Sequence, residues 1–360
     1  MTIRERMLAV YRGELPDRTP VGIYTRYLAR GEKEQKAREY GLGIIDYAPP
    51  VTMLAPPWHV LDGFLSEIQD GGFSIRYHWK NGKRIERRQV EMPEGSLYAD
   101  IEQDAGGIGS EHTLKHYIET EEDYALAAAA VRRSVFGDNR RMFRARKKAL
   151  GESGVLLARL DRSPFQKCLL ELCAQETFLV DVMDEEDAAL ALLDILEHRA
   201  LEAAERVMAS EADVIWLPDN ITADMTSPAL FQKWCLPYYK RVASWAKEAG
   251  KPILVHCDGK VRSLVPYLNE SGMSAIESLS YPEISGDLTP LQAREAFPGM
   301  RILPNFPSNR SYDSAENIEK WVLEQRACLD GVPWMLQLSE DLPASESDKV
   351  ILAVSRAMAK

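Results

Sequence analysis

The chain is short of cysteine, with five in 360 residues (Cys168, Cys173, Cys235, Cys257 and Cys328), and no two form a C-x-x-C pair. An odd count without paired spacing excludes a disulfide framework and fits a reducing, cytoplasmic compartment. It has no excess of positive charge. Its net charge is -11, from 55 acidic and 44 basic residues. That argues against nucleic acid as a partner, since such a protein carries a basic footprint. It has no apolar run approaching the roughly 18 residues of a membrane span, and its start, Met1-Thr-Ile-Arg-Glu-Arg-Met7, is too charged for a secretory signal. No serine stands in a nucleophile elbow, and no glycine-rich phosphate loop follows a strand. Ala105–Gly109 is glycine-rich but lacks the preceding strand a dinucleotide site requires. Internal repeats, low-complexity tracts and dividing linkers are missing too, so one domain over 1–360 is expected.

What is present is alternation. Eight apolar runs read as strands: Thr19–Tyr24, Gly43–Ala48, Val155–Leu160, Asp213–Leu217, Pro252–His256, Ser274–Glu277, Arg301–Leu303 and Trp334–Leu338. Helical patterning follows most of them, at Asp184–Glu211, Pro228–Ala249, Val261–Ser271, Pro290–Ala296 and Ser314–Leu329. Ser227-Pro228 and Thr289-Pro290 are start signals, a capping residue before proline. Gly250 and Gly272 are stop signals. Strand–helix alternation implies a parallel sheet, and eight units imply a closed α/β (TIM) barrel of (β/α)8 type, here with extra N-terminal helices. Residues 71–92 depart from this. Phe73–Trp79 alternates, Asn81-Gly82 is a tight-turn signal and Arg84–Val90 returns, which predicts a β-hairpin inserted between the second and third barrel strands. Helices over Glu121–Leu150 lead back to the barrel.

Polar residues gather at the strand ends, where such a fold keeps its chemistry. The first strand ends at Tyr24 and Arg26, the second at Asp46 and Tyr47, the third at Arg159 and Asp161, and the fourth at Asp219 and Asn220. The fifth supplies His256, Cys257 and Asp258, the sixth Glu277 and Ser280, the seventh Asn305, and the eighth Ser339-Glu340-Asp341. In an extended strand His256 and Asp258 share a face and Cys257 points away. Imidazole and carboxylates suit zinc or another divalent ion. His256 and Asp258 supply two ligands. Glu340 or Asp341 supplies the third: alternation from Trp334, Leu336 and Leu338 favours Asp341. Cys257 replaces Asp258 if the chain turns early. Among the other histidines, His59 follows Pro-Pro-Trp in a loop, His78 lies on the hairpin, and His112, His116 and His198 read as surface or helix-flank residues.

Three segments resemble the uroporphyrinogen decarboxylase superfamily. They are Arg4–Val10 with Gly13–Val21, Ala212–Asn220, and Ser227-Pro228 with Leu236–Lys240. The resemblance runs almost the full length and implies a TIM barrel. The decarboxylases carry an arginine-rich segment after the first strand; here Tyr24-Thr-Arg-Tyr-Leu-Ala-Arg30 lacks that motif. The chain is more similar to the corrinoid-linked methyltransferase branch, whose zinc ligands lie in His-x-Cys on the fifth strand and Gly-Cys-x-x-Pro after the eighth. His256 matches the histidine, Asp258 takes the first cysteine position, and Glu340, three before Pro343, takes the second. This implies zinc on His256, Asp258 and Glu340. Losing both thiolates for carboxylates implies polarisation of an oxygen rather than delivery of a thiolate. The activity implied is methyl transfer from a methoxylated aromatic to cob(I)alamin on a partner corrinoid-binding protein. Asp219, Asn220 and Asn305 would then bind substrate polar groups or support the ligands, and Tyr24, Tyr47, Trp58 and Tyr281 would line an aromatic pocket. The alternative is a metal-free decarboxylase in which Arg26, Arg30 and Arg159 hold carboxylates.

Overall fold

The computed structural model describes residues 1–28, 31–57, 64–103 and 112–360. Arg30, Trp58, His59 and Ala105–Gly109 therefore lie outside the described residues. The chain forms two compact units. The first comprises Met1–Ala48, Arg140–Arg159 and Met208–Lys360; the second comprises Pro49–Asn139 and Leu160–Val207.

The first unit is a TIM barrel. Its strands are β1 (Val21–Tyr24) and β2 (Leu42–Ala48), and, past the second unit's β3–β8, β9 (Gly154–Arg159), β10 (Ile215–Ile221), β11 (Ile253–Cys257), β12 (Ala275–Leu279), β13 (Arg301–Pro304) and β14 (Leu336–Leu338). The eight strands pair in parallel through seven ladders, in the order β13-β12-β11-β10-β9-β2-β1-β14. Two parallel bridges, Ile302 to Trp334 and Asn305 to Gln337, close β13 onto β14. Apolar runs make these strands because both faces are covered. The inner face contributes Tyr24, Ile45, Val155, Leu157, Val214, Trp216, Leu254, Ala275, Leu303 and Met335 to one buried cluster. The helix Ile3–Arg12 adds Met7, Leu8, Val10 and Tyr11 to that cluster. An outer cluster joins Val21, Ile23, Leu336 and Leu338 to Ile318, Trp321 and Val322 of helix Ala315–Leu329 and to Val350, Ile351 and Val354 of helix Ser347–Ala359.

The start signals act as the sequence indicates. Ser227 accepts from the Leu230 N–H, and Thr289 forms a capping box with Gln292. Gly250 and Gly272 adopt left-handed φ of 68° and 80°. The helix expected at Pro228–Ala249 carries a π turn at Phe231–Cys235, where the Leu236 N–H reaches the Phe231 carbonyl. Pro237 offers no N–H to the regular ladder, so the preceding turn widens.

In the second unit, β3 (Glu67–Ile68) pairs with β8 (Ser134–Val135), while β4 (Gly72–Lys80), β5 (Lys83–Met92), β6 (Gly95–Gln103) and β7 (His112–Lys115) form an antiparallel sheet. The expected hairpin is β4 and β5, turning at Asn81 (φ 52°) and Gly82 (φ 76°). The sheet is larger than expected because β6 pairs with β5 from Arg84 to Met92 and β7 pairs with β6. The helical stretch expected over Glu121–Leu150 is two helices, Glu121–Arg133 and Arg140–Leu150. They are separated by β8 and by Gly137-Asp138-Asn139, residues that favour turns. Among the described residues, no helix is long and apolar enough to cross a membrane.

Candidate active site at the strand ends

β11 and β12 run side by side with His256 level with Glu277. Both strands send alternate residues inward: Leu254 and Ala275 join the inner cluster, and His256 and Glu277 follow one repeat later. Glu277 has no exposed surface and His256 only 8%. His256 Nδ1 lies 2.5 Å from Glu277 Oε2. The Trp216 indole N–H donates to the same oxygen at 3.0 Å, and the Tyr24 hydroxyl donates to Oε1 at 2.6 Å. Burial, then the Glu277 charge, pushes the Tyr24 phenol well up, so it stays a donor. Four strands thus meet on one buried carboxylate.

Two ladders slip at this level. Register shifts between Leu217 and Ile221 and between Glu277 and Leu279, where Asn220 (φ 50°) and Ser278 (φ 60°) are left-handed. Asparagine tolerates that conformation; serine does so at a cost of order 1 kcal/mol. Ser278 is held by its N–H on Gln337 Oε1 (3.1 Å) and by its hydroxyl beside that of Ser339 (2.9 Å). After Asp258 the chain turns at Gly259, φ 114°, where a Cβ would fall 2.7 Å from the Thr222 hydroxyl.

A second acidic group stands beside the first. Asp258 Oδ1 accepts from the Ser280 hydroxyl at 2.9 Å. Burial and then the Asp258 charge push the Glu340 carboxyl up to about 7, against the opposing pull of the Asn305 amide and His256. Asn305 is itself fixed, its Oδ1 accepting from the Ser339 N–H and hydroxyl, both at 2.9 Å. Glu340 thus lies near enough to Asp258 and His256 to feel their charges, while Asp341 is exposed. Alternation favoured Asp341. It does not decide between the two, because β14 ends at Leu338, before either acid.

Other expected residues are placed differently. Asp219 is fully buried and takes the hydroxyl of Tyr239 at 2.7 Å, on the helix Leu236–Glu248. Cys257 lies on that same outward face; burial, then the Glu277, Asp219 and Asp258 charges, push its thiol well up. The parity that turns Cys257 away also turns Asp219 away from the barrel interior, and this could have been read from Trp216 and Asp219 being three apart. Tyr281 is core: it packs with Trp321 (centroids 6.0 Å apart) and Phe306 in the outer cluster. Asn220 is exposed. Tyr24, Tyr47 and Trp216 do meet, with centroids 5.0–6.0 Å apart. Arg26 lies 4.9 Å over the Tyr27 ring and the buried Arg159 6.0 Å from the Trp216 ring. Trp216 and Tyr239 were not singled out in the sequence, though Trp216 carries a usable signal, a polar-edged residue at an inward position of a barrel strand.

Among the described residues, no three His, Cys, Asp or Glu side chains are gathered closely enough to hold a metal ion. The donor chemistry nonetheless suits a divalent cation. An imidazole whose Nδ1 rests on a carboxylate is the usual state of a metal-binding histidine, and the Asp258–Glu340 pair has like charges that a cation would relieve. A cleft of about 910 Å³ in the first unit is lined by Leu15–Thr19, Arg326 and Trp334. It lies at the other end of the strands and touches none of these groups.

Comparison with known proteins adds the following. Residues 169–324 match the family model described as Uroporphyrinogen decarboxylase (URO-D). This segment carries His256, Asp258, Glu277 and Asn305. Among solved structures, the chain is similar to a methyltransferase from Methanosarcina mazei, with a TM-score of 0.61 at 16% identity over 99% of this chain and 98% of that one. A likeness at that identity supports the fold. A xylose isomerase domain protein from Planctomyces limnophilus aligns at 11% identity over 93% of each chain, with a TM-score of 0.36. No curated protein matches.

Proposed function

We propose that the chain is the substrate-side methyltransferase of an O-demethylation system. It would move a methyl group from a methoxylated aromatic to cob(I)alamin carried by a transiently bound corrinoid-binding protein in the cytoplasm. The observation that carries this reading is the buried His256–Glu277 pair at the C-terminal strand ends, with the Asp258 and Glu340 carboxyls near enough for the Asp258 and His256 charges to act on Glu340. The family match over 169–324 and the structural neighbour named as a methyltransferase support the uroporphyrinogen decarboxylase superfamily and its methyltransferase branch.

His256, Asp258 and Glu340 would hold zinc. Bound zinc supplies Lewis acidity toward an ether oxygen. The chain's own residues do the rest. Ser280 aims Asp258, and Asn305 braces the Ser339–Glu340 turn. Tyr47 and Trp216 offer flat apolar surface to a ring, and burial around His256 excludes water. The enzyme's task is then positioning of the methyl carbon for in-line attack, with the leaving oxygen held among fixed polar groups.

One observation favours a second reading. The three candidate ligands are not gathered into a cage, while Arg26 and Arg159 stand near the same aromatics. A metal-free decarboxylase would use those guanidiniums to hold carboxylates. Elemental analysis separates the two. The decisive experiment combines it with incubation of purified chain, reduced corrinoid protein and a panel of methoxyaromatics, reading methylcobalamin absorbance. About one zinc per chain and a response to an aromatic ether are expected. Full activity of metal-free protein would overturn the zinc assignment, and a response only to thioethers or quaternary amines would overturn the substrate.

A further inference from the structure

The cleft at the N-terminal ends of the barrel strands has no part in the reaction proposed above. Its walls are the loop before β1 and one side of helix Ala315–Leu329, and they carry Leu15, Arg18, Leu323, Arg326, Val332 and Trp334. We propose that this cleft binds a small organic oxyanion, a phosphate or carboxylate on an apolar body, with the head group between Arg18 and Arg326. The inference goes beyond the proposed function and does not rest on it.

Charge defines the head group. Arg18 makes no hydrogen bond or ion pair among the described residues. Its guanidinium lies over the bare Cα of Gly41 (φ 100°), where a Cβ would overlap it. The neighbouring acid is occupied: Asp17 accepts from Arg6 Nε at 2.6 Å and from the second Arg6 nitrogen at 3.0 Å, and those bonds hold its carboxyl well below the usual range. Asp330, the other acid of the lining, accepts from the Gly331 N–H at 3.0 Å. Lys360 pairs with Glu319 at 2.7 Å. Arg326 donates from Nη1 to the Ala357 carbonyl at 3.1 Å and leaves Nε and Nη2 without a partner. Burial, then the Arg6 charge, pulls the Arg18 guanidinium below its ordinary value; Asp17 opposes this and Arg326 adds to it. Two guanidiniums of like charge thus line one hollow with unused donors. An oxyanion accepting from both relieves the repulsion and forms charge-assisted, forked bonds. Volume and apolar surface define the body. The cleft holds about 910 Å³, inside the roughly 300–1,000 Å³ of small-molecule sites, and an inorganic ion would fill little of it. Leu15 is 63% exposed and Leu323 37%. They leave apolar surface beside the guanidiniums for a ring or alkyl chain to cover. A barrel of this type keeps its chemistry at the opposite rim, so the ligand here is not a substrate. Thr19 and Trp334 of the lining lead into β1 and β14, which pair from Val21 and Leu336 onward. A bound anion therefore ties the two approaches to that ladder together and stabilises the folded chain.

Calorimetric titration of the full chain tests the site. The probes are phenyl phosphate and benzoate, with inorganic phosphate as a head group alone and benzyl alcohol as a body alone. We expect phenyl phosphate or benzoate to bind once per chain, in the millimolar range or tighter, and more tightly than either fragment. Arg18→Gln should weaken that binding about 10-fold, the weight of one charge-assisted hydrogen bond. Leu15→Glu, at an exposed position, should weaken it too by placing a like charge at the mouth. His256→Ala should leave it unchanged, which separates this cleft from the candidate active site. Silence from both phenyl phosphate and benzoate would overturn the proposal. So would binding that is lost in His256→Ala but untouched by Arg18→Gln and Leu15→Glu. Inorganic phosphate binding as tightly as phenyl phosphate would overturn the apolar body. A chain that binds the probe at this cleft but transfers no methyl group would lose the proposed function and keep this site.

Discussion

At the scale of single residues, the molecule separates acids that serve the site from acids that serve the fold. Asp219 belongs to the second kind, because its carboxylate is spent on Tyr239 behind the sheet. Tyr239→Phe leaves that buried charge short of a donor and is expected to cost about 1–3 kcal/mol in denaturant melts. Substrate KM should not move; a raised KM with unchanged stability would return Asp219 to the cavity. Glu340 belongs to the first kind and leaves a trace in pH. Its folded value, about 7, lies above the usual 4.5. Between those values the unfolded chain has already released the proton that the folded chain still holds, so metal-free protein loses stability as pH rises through that window. Glu340→Gln should flatten this slope in urea melts taken from about pH 4.5 to 7, where an unchanged slope would assign the effect elsewhere. Asp258→Ala should pull the Glu340 carboxyl down toward its ordinary value, seen as a shift of the same slope to lower pH.

At the scale of elements, apolar runs were enough to locate all eight barrel strands, and capping residues located helix starts at Ser227 and Thr289. Period-two alternation was reliable only inside a strand. It oriented His256 against Cys257, but it could not orient Glu340 or Asp341 once β14 had ended, and the left-handed Asn220 and Ser278 have no counterpart in hydrophobic pattern. β6 escaped notice because Gly95–Gln103 carries three polar side chains among its last four residues and reads as a loop until β5 is there to pair with it. Ion pairs between elements were equally hidden. Asp213, just before β10, joins Arg4 (2.6 Å) and Lys147 (2.8 Å), tying two helices to that strand. Burial pushes its carboxyl up, but the two cations outweigh burial and hold it below 3.8. That stability is present above the unfolded value and is lost as pH falls through the lower folded one. Asp213→Asn should therefore lower neutral-pH stability by roughly 1 kcal/mol and blunt the acid end of the profile, as followed by thermal melts at pH values from neutral down to about 2. An unaltered acid limb would show the pair to be idle.

At the scale of the whole molecule, the barrel is uneven around its circumference. The β2–β9 ladder joins five residue pairs, whereas β13 meets β14 through two bridges. The β9–β10 ladder also joins only two pairs, so amide exchange should be faster at these two junctions than along β2–β9; equal protection all round would contradict it. A corrinoid protein docking at the strand ends would be expected to slow that exchange.

The order in which the strands appear has a consequence for synthesis. β1 and β2 emerge early, but the partner of β2 across the sheet, β9, begins only at Gly154, and the other partner of β1 is Leu336–Leu338. A nascent chain on the ribosome thus carries β1 with one edge bare until Leu336–Leu338 has been translated. Late, long-range pairing of this kind slows folding and leaves strands open to misassociation. Chains arrested before Leu336 should be sensitive to protease and bound by chaperones, while those released just beyond helix Ser347–Ala359 should become resistant in one step.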